Sequence, residues 1–492
     1  MLKFESASLK GRKMADLIVL PFWKTSKKPV PAAEIDHFKE DASAPISHGD
    51  FVGKEGEVLV IYSSGKKERR LALLGLGEKE KISVEKLRRA LSNLAKECRT
   101  RKIKEINVVM PEGLQEEDVV RGVTEGILLT NYAFVRLKHA AEELPALLTR
   151  VVLVGASAQA LQLAKKYEAI CEGVYLARDL VNGNADDVTP QFLADQAREL
   201  SRKHSKIKTT TFDKRRIEKE KLDLLLAVNR GSHRDPEFII MDYLGDPKSK
   251  ERTVLVGKGV TYDTGGLNLK PTGSMESMKD DMGGAATVLG AMHVIAKLGL
   301  KINVIGVIPA TENAIGPASY KPGDVYSSYA KKSVEIRNTD AEGRLILADA
   351  LAYAVKNFKP TRIIDFATLT GAMVIALGHM GTGMMCNEDG LADALMAAGE
   401  HTYERLWRFP LWDEYKEGLK SDIADLKNVG ERAAGAIYAA KFLQEFVGDV
   451  PWAHCDIAAS AFLETPRQYL PKHATGVGVR LMAEFLESLC KK

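Results

Sequence analysis

The 492-residue sequence has no CxxC pair, no HExxH, no G-x-S-x-G, no internal repeat and no low-complexity segment. The missing catalytic motifs remove a zincin-type metalloprotease and a serine hydrolase of the nucleophile-elbow kind. Five cysteines (Cys98, Cys171, Cys386, Cys455 and Cys490) are odd in number and scattered. Neither a disulfide framework nor a zinc ribbon is implied, and they read as inert reduced thiols. No uninterrupted apolar run approaches the roughly 20 residues that span a bilayer. The apolar opening Asp16–Trp23 is too short for a signal h-region with its cleavage site, so a cytoplasmic address and no membrane partner are expected.

What is present is ordinary for a globular chain: 45% apolar and 28% charged residues in 54.0 kDa. At roughly 150 residues per domain this length calls for at least two domains. Residues 1–170 carry 29 Lys+Arg against 23 Asp+Glu, leaving 41 against 43 for the rest of the totals of 70 and 66. The basic excess sits in "KKERR" (Lys66–Arg70), "KLRRA" (Lys86–Ala90) and "RTRKIK" (Arg99–Lys104). These runs are interleaved with acids and read first as solvated helix faces, while permitting a nucleic-acid partner without demanding one.

Up to about Gly155, short strand-like runs ("LIVLPF", "VLVIYS", "RLALLGLG", "INVVM", "RVVLVG") alternate with helical stretches, the rhythm of an open α/β domain. A long helical pattern, Ser157–Val181, then meets the turn formers "NGNADDVTP". The expected division is an N-terminal α/β domain over 1–156, a linker helix and boundary loop over 157–186, and a catalytic domain over 187–492. From Thr253 the pattern reads strand, loop, helix three times, which predicts a parallel sheet. Ligands of such sheets bind outside the carboxyl ends of the strands, where "KGVTYDTGG", "DDMGG" and "NTDAEG" are all expected to fall.

Those loops hold Lys258, Asp263, Lys270, Asp280, Asp281, Asp340, Glu342 and Arg344, and no histidine. Several carboxylates crowded at one sheet edge cannot all ionise unless cations bridge them, and oxygen-rich donor sets suit divalent ions. A dinuclear metal site for hydrolysis follows. A single Asp after a strand more often caps a helix, and Asp280 is read that way. A di-metal phosphoesterase is the rival reading; it normally uses several histidines and has no need of a lysine ligand.

"VGKGVTYDTGGLNLKP" (Val256–Pro271), "MKDDMGGAATV" (Met278–Val288) and above all "NTDAEGRL" (Asn338–Leu345) closely resemble the signature loops of the leucyl aminopeptidases, the cytosolic di-metal peptidases of family M17. The resemblance covers the second domain from about Asp187 onward and, more loosely, the first. It implies a smaller macro-like α/β N-terminal domain and a larger catalytic domain with a mixed, mostly parallel central sheet flanked by helices. It also implies two divalent ions, zinc or manganese. One is held tightly by Lys258, Asp263, Asp281 and Glu342, and a more exchangeable one by Asp263, Asp340 and Glu342. As a ligand Lys258 must be neutral, against a reference pKa of about 10.4. The resemblance makes Lys270 the protonated catalytic lysine, and Arg344 with the backbone of Gly343 the holder of a bicarbonate general base. It places Met278, Asn338, Ala341, Thr368 and Gly371 around the pocket for the first side chain. The implied activity is removal of leucine and other apolar N-terminal residues from short peptides by a homohexamer. Some relatives also bind DNA, which leaves a regulatory role for the basic first domain as the alternative. Two positions depart from common members, "NGNADDVTP" and Tyr262, and neither is a ligand.

Overall fold

The computed structural model describes residues 2–35, 38–63, 68–138, 140 and 144–490. Lys66 and Lys67 of the first basic run lie outside them. The chain divides into two compact units: Met1–Cys171 with Thr465–Pro471, and Glu172–Glu464 with Lys472–Lys492.

The first unit is an α/β sheet of seven strands: β1 (Lys3–Ala7), β2 (Leu17–Trp23), β3 (Val30–Pro31), β4 (Val58–Tyr62), β5 (Arg70–Gly75), β6 (Glu105–Val109) and β7 (Arg150–Val154). The order is β1-β7-β6-β2-β5-β4, with β3 on β2; β4 and β3 are antiparallel to their neighbours and the rest run parallel. All seven residues of β2 are buried, which explains why its run shows no alternation. Among the helices, α1 (Lys39–His48) precedes α2 (Val84–Thr100), which starts on the Ser83 hydroxyl accepting from Lys86 N–H at 3.3 Å. It buries Leu87, Leu91, Leu94 and Cys98, one helical face, and packs on α3 (Glu116–Asn131). The returning segment is fastened here by Tyr469, whose hydroxyl donates to Glu85 at 2.9 Å.

The unit boundary falls inside the 25-residue helix α4 (Ala158–Asn182). In the second unit α5 (Pro190–Lys203) begins on the Thr189 hydroxyl with Pro190 in its first turn. Its central sheet comprises β8 (Ile207–Phe212), β9 (Glu237–Leu244), β10 (Thr253–Gly257), β11 (Gly259–Asp263), β12 (Asn303–Asn313) and, further on, Arg362–Ala367, Thr382–Cys386, Leu406–Phe409 and Trp452–Asp456. Five of its eight pairings are parallel and three antiparallel, the mixed, mostly parallel sheet the resemblance implies. Between β8 and β9 lie the short helices α6 (Lys214–Glu220) and α7 (Asp223–Asn229). Helix α8 (Gly283–Leu298) packs on β10 and β12 with α5 beside it, and α9 (Gly343–Phe358) covers β10 and β12 together with α7.

One expectation is corrected. The strand before "NTDAEG" is not in the central sheet: between β13 (Val325–Ser327) and β18 (Leu426–Lys427) stands β14 (Ser333–Glu335), and the three form a sheet of their own. By chain order β15 is Arg362–Ala367, β16 Thr382–Cys386, β17 Leu406–Phe409, β18 Leu426–Lys427 and β19 Trp452–Asp456. Three residues are too few for a central strand, and the slot beside β10 belongs to β12, eleven residues buried at all but one position. Pro309 inside β12 conceals it, since a proline argues against a central strand.

Candidate active site

Lys258 stands between β10 and β11, where the chain stops pairing with β15 and continues along β12 alone. Lys258 and Asp263 are five residues apart, an odd spacing that would aim them at opposite faces of a regular strand. The register of β11 on β12 shifts between Val260 and Asp263, which breaks that alternation before the aspartate. Asp263 Oδ1 then accepts from Gly265 N–H at 2.9 Å and from Asn313 Nδ2 at 2.8 Å.

Two lysines knit the loops together. Lys258 Nζ lies 2.6 Å from Asp281 Oδ1, 2.9 Å from Glu342 Oε1 and 2.9 Å from the carbonyl of Thr368. Lys270 Nζ lies 2.8 Å from Asp263 Oδ2 and 2.7 Å from Asp340 Oδ1. Lys258, Asp263, Asp281 and Glu342 are buried, Lys270 is half-buried and Asp340 is open to solvent. Carboxylate oxygens of Asp263, Asp340 and Glu342 lie within 4.8 Å of one another. Burial, then the neighbouring charge of Glu342, pushes Asp263 up to about 6 against the pull of Lys270 and Lys258. Burial disfavours charge on Lys258, but Asp281, Glu342 and Asp263 outweigh it and hold the ammonium well above an ordinary lysine. Lys270 is raised in the same way by Asp263 and Asp340. Asp280, read as a cap, lies buried in the turn Met278–Asp280, and burial pushes it up to about 7.

The crowding leaves two buried carboxylate oxygens, Asp281 Oδ2 and Glu342 Oε2, without any hydrogen-bond partner among the described residues. Such atoms cost free energy that a cation recovers, so this donor set fits divalent ions. Their charge would also reverse the balance at Lys258, favouring the neutral amine.

The loop Asn338–Glu342 runs from β14 into α9. Gly343, the first residue of α9, leaves room for the lysine: a Cβ there would sit 2.5 Å from Lys258 Cε and 2.8 Å from Nζ. Gly265 is at φ +84°, and a Cβ would meet Asp340 Oδ1 at 2.9 Å. Arg344 is buried; Nη1 donates to the carbonyl of Asn428 at 2.8 Å, and Nε has no partner among the described residues. Burial lowers it to about 10. A buried guanidinium with an orphaned N–H beside a helix start fits a planar anion such as bicarbonate.

Of the five residues expected around the pocket, Met278 is half-buried in the turn before Asp281, and Asn338 and Ala341 lie on the Asp340 loop. Asn338 Oδ1 accepts from Asp340 N–H at 2.8 Å. Thr368 is tied into the cluster: its hydroxyl donates to Asp281 Oδ1 at 2.8 Å while its carbonyl accepts from Lys258. Gly371 opens α10 (Gly371–Leu377) with nothing within 4 Å of a Cβ built on it. Sequence reasoning missed the supports of these loops. Asn313 Nδ2 also donates to Thr339 O at 3.0 Å, and the Tyr320 hydroxyl to the same carbonyl at 2.6 Å. Asp456 Oδ1 accepts from Leu369 N–H and Ala458 N–H, both at 3.1 Å, and Oδ2 from the Thr370 hydroxyl at 2.7 Å. Asn313 ends the strand that Pro309 concealed.

The model of the catalytic domain of the cytosol aminopeptidase family matches residues 175–483, and that of the family's N-terminal domain residues 19–141. The chain belongs to the cytosol aminopeptidase family. A probable cytosol aminopeptidase of Protochlamydia amoebophila is 54% identical over 486 residues, 98% of this chain and 97% of the relative. Another, from Chlamydia abortus, is 48% identical over the full length of both. Among solved structures, a mutant of tomato leucine aminopeptidase superposes with a TM-score of 0.87 at 30% identity, covering 99% of this chain and 96% of that one. The bottromycin maturation enzyme BotP in complex with Mn gives 0.86 at 31%, covering 97% and 100%. The cytosol aminopeptidase assignment makes the protein a peptidase, and the lysine-carboxylate cluster is its candidate active site.

Proposed function

We propose that the protein is a di-metal exopeptidase that removes N-terminal amino acids, leucine and other apolar residues preferred, from short peptides. The observation that carries this reading is the pair of buried oxygens, Asp281 Oδ2 and Glu342 Oε2, with no donor among the described residues, within a cluster of four carboxylates and two lysines. Lys258, Asp263, Asp281 and Glu342 hold one divalent ion, and Asp263, Asp340 and Glu342 the other, zinc or manganese; the solved relative in complex with Mn supports this. When bound, the ions and a bicarbonate supply an electrophile, an acidified water and a proton acceptor.

The chain's own residues do the rest. Lys270, kept charged by Asp263 and Asp340, polarises the scissile carbonyl and stabilises the developing oxyanion. Arg344 and the Gly343 backbone hold and orient the anion. Met278, Asn338, Ala341, Thr368 and Gly371 receive the first side chain. The test is hydrolysis of leucine-p-nitroanilide by wild type and Asp340→Ala, after chelation and after Mn²⁺ or Zn²⁺ is added back. Loss on chelation, recovery with metal and an inactive variant are expected; turnover that survives both chelation and Asp340→Ala refutes the reading. The reading extends to a cytoplasmic homohexamer, supported by the exposed Trp407 and Trp412 (65% and 63%). Sedimentation at the 54.0 kDa mass of one chain would refute that assembly.

A further inference from the structure

We infer that Asn428 is the positioning residue of the Asn338–Arg344 loop, setting Asp340 and Glu342 for hydrolysis through both ends of its side-chain amide, while its backbone carbonyl holds Arg344. Asn428 follows β18, the strand that pairs with β14, and its backbone N–H donates to Glu335 O at 3.0 Å. The small sheet that replaces the expected central strand therefore delivers this side chain to the loop. It is fully buried. Oδ1 accepts from Arg337 N–H at 2.8 Å and Asn338 N–H at 3.3 Å. Nδ2 donates to Asn338 O at 2.7 Å and to Ala341 O at 3.4 Å. Its backbone carbonyl takes Arg344 Nη1 at 2.8 Å.

The partners fix the amide's orientation, because two N–H groups face one end and two carbonyls the other. An aspartate of the same shape cannot donate when ionised, and a leucine can do neither. All five contacts fall on residues 337–344, which include Asp340, Glu342 and Arg344. Removing such a support leaves buried backbone groups unpaired and lets the loop drift. Supports of this kind around metal ligands are worth about 10–100-fold in activity or metal affinity. The inference rests on reading this loop as the holder of metal and anion.

The experiment compares kcat and KM for leucine-p-nitroanilide, the Mn²⁺ concentration for half-maximal activity and the thermal midpoint in wild type, Asn428→Ala, Asn428→Asp, Ser333→Ala and Asp340→Ala. Ser333→Ala removes the bonds to Asp425 at 2.8 and 2.9 Å that tie the same sheet without reaching the loop. Asn428→Ala is expected to lose about 10–100-fold in kcat with KM changed less than about threefold and the Mn²⁺ midpoint raised, while Ser333→Ala stays near wild type. For Asn428→Asp, the ratio of its kcat to wild type should rise as pH falls from 8 to 6, because protonation of a buried carboxyl restores one donor. A kcat of Asn428→Ala within about twofold of wild type overturns the inference, as does an equal loss in Ser333→Ala. If Asn428→Ala does not fold, a flat pH ratio for Asn428→Asp overturns it. An inactive Asp340→Ala beside a fully active Asn428→Ala sinks only the positioning role, whereas an active Asp340→Ala sinks the reading of the loop.

Discussion

Gly343→Ala should disable the enzyme while sparing its fold. The added Cβ would lie 2.5 Å from Lys258 Cε and 2.8 Å from both Cδ and Nζ, roughly 1 Å inside a normal contact. Lys258 cannot retreat, because Asp281, Glu342 and Thr368 hold its amine at 2.6–2.9 Å. Helix α9 cannot retreat either, since Leu345, Ile346 and Leu347 are fully buried. Overpacking of this kind costs about 1–3 kcal/mol, and alanine recovers about 0.5–1 kcal/mol over glycine in a helix. The net loss of about 0–2.5 kcal/mol leaves a folded protein. Displacement of a reacting constellation by about 1 Å costs on the order of 100-fold in rate, and that is the expected fall in kcat. The matched control is Gly435→Ala, also at the first position of a helix, where the new Cβ meets only Ala372 at an ordinary 3.7 Å. Initial rates on leucine-p-nitroanilide and Mn²⁺ titrations provide the readout. A Gly343→Ala enzyme within threefold of wild type, with an unchanged Mn²⁺ midpoint, would refute the claim that Lys258 must occupy that space.

Asp456→Ala should lower kcat about 10-fold or more and raise the Mn²⁺ midpoint by freeing the Thr368–Thr370 loop. Asp456→Asn keeps an acceptor for Leu369 N–H and Ala458 N–H and should fall in between; identical losses in the two variants would argue against the loop as the route. Glu237, buried at the start of β9 with Oε2 unpaired, is pushed up to about 7 by burial. A folded-state pKa above the unfolded one means that its stability contribution is complete below about 4.5 and lost as pH rises through about 7. Glu237→Gln should therefore stabilise the fold at pH 8 by on the order of 1–3 kcal/mol, read as a raised thermal midpoint, and leave the midpoint nearly unchanged at pH 4.5. An equal effect at both pH values would show that burial of charge is not the cause.

The residues of the candidate site were legible because their loops are chemically loaded and glycine-flanked in the sequence itself; what was illegible is how they are held. Lys258 and Asp263 look like neighbours on one strand, yet their odd spacing cooperates only through a register shift that no residue pattern announces. The strand that registers them, β12, carries Pro309 in its middle and so argues against its own place in the sheet. "VEIRNTDAEG" reads as a strand feeding a loop, which is right locally. Its sheet is the small one, because the partner that decides this, Leu426–Lys427, lies 91 residues beyond Glu335 at the nearer end. Asn428 follows at once in "SDIADLKNVG", where nothing distinguishes it from a surface turn residue. Its importance is purely tertiary: a lone amide gains meaning only when two N–H groups and two carbonyls arrive on opposite sides of it. The return of Thr465–Pro471 to the first unit is invisible for the same reason, since one Tyr469–Glu85 hydrogen bond spans 384 residues. Ligand chemistry is thus written locally, as residue types at short spacing, while the restraint that makes it work is written in long-range pairings. A screen of variants confined to the three signature loops would probe the groups proposed to bind and polarise, and would miss Asn313, Asn428 and Asp456, whose hydrogen bonds hold the Asp340 loop and the Thr368–Thr370 loop.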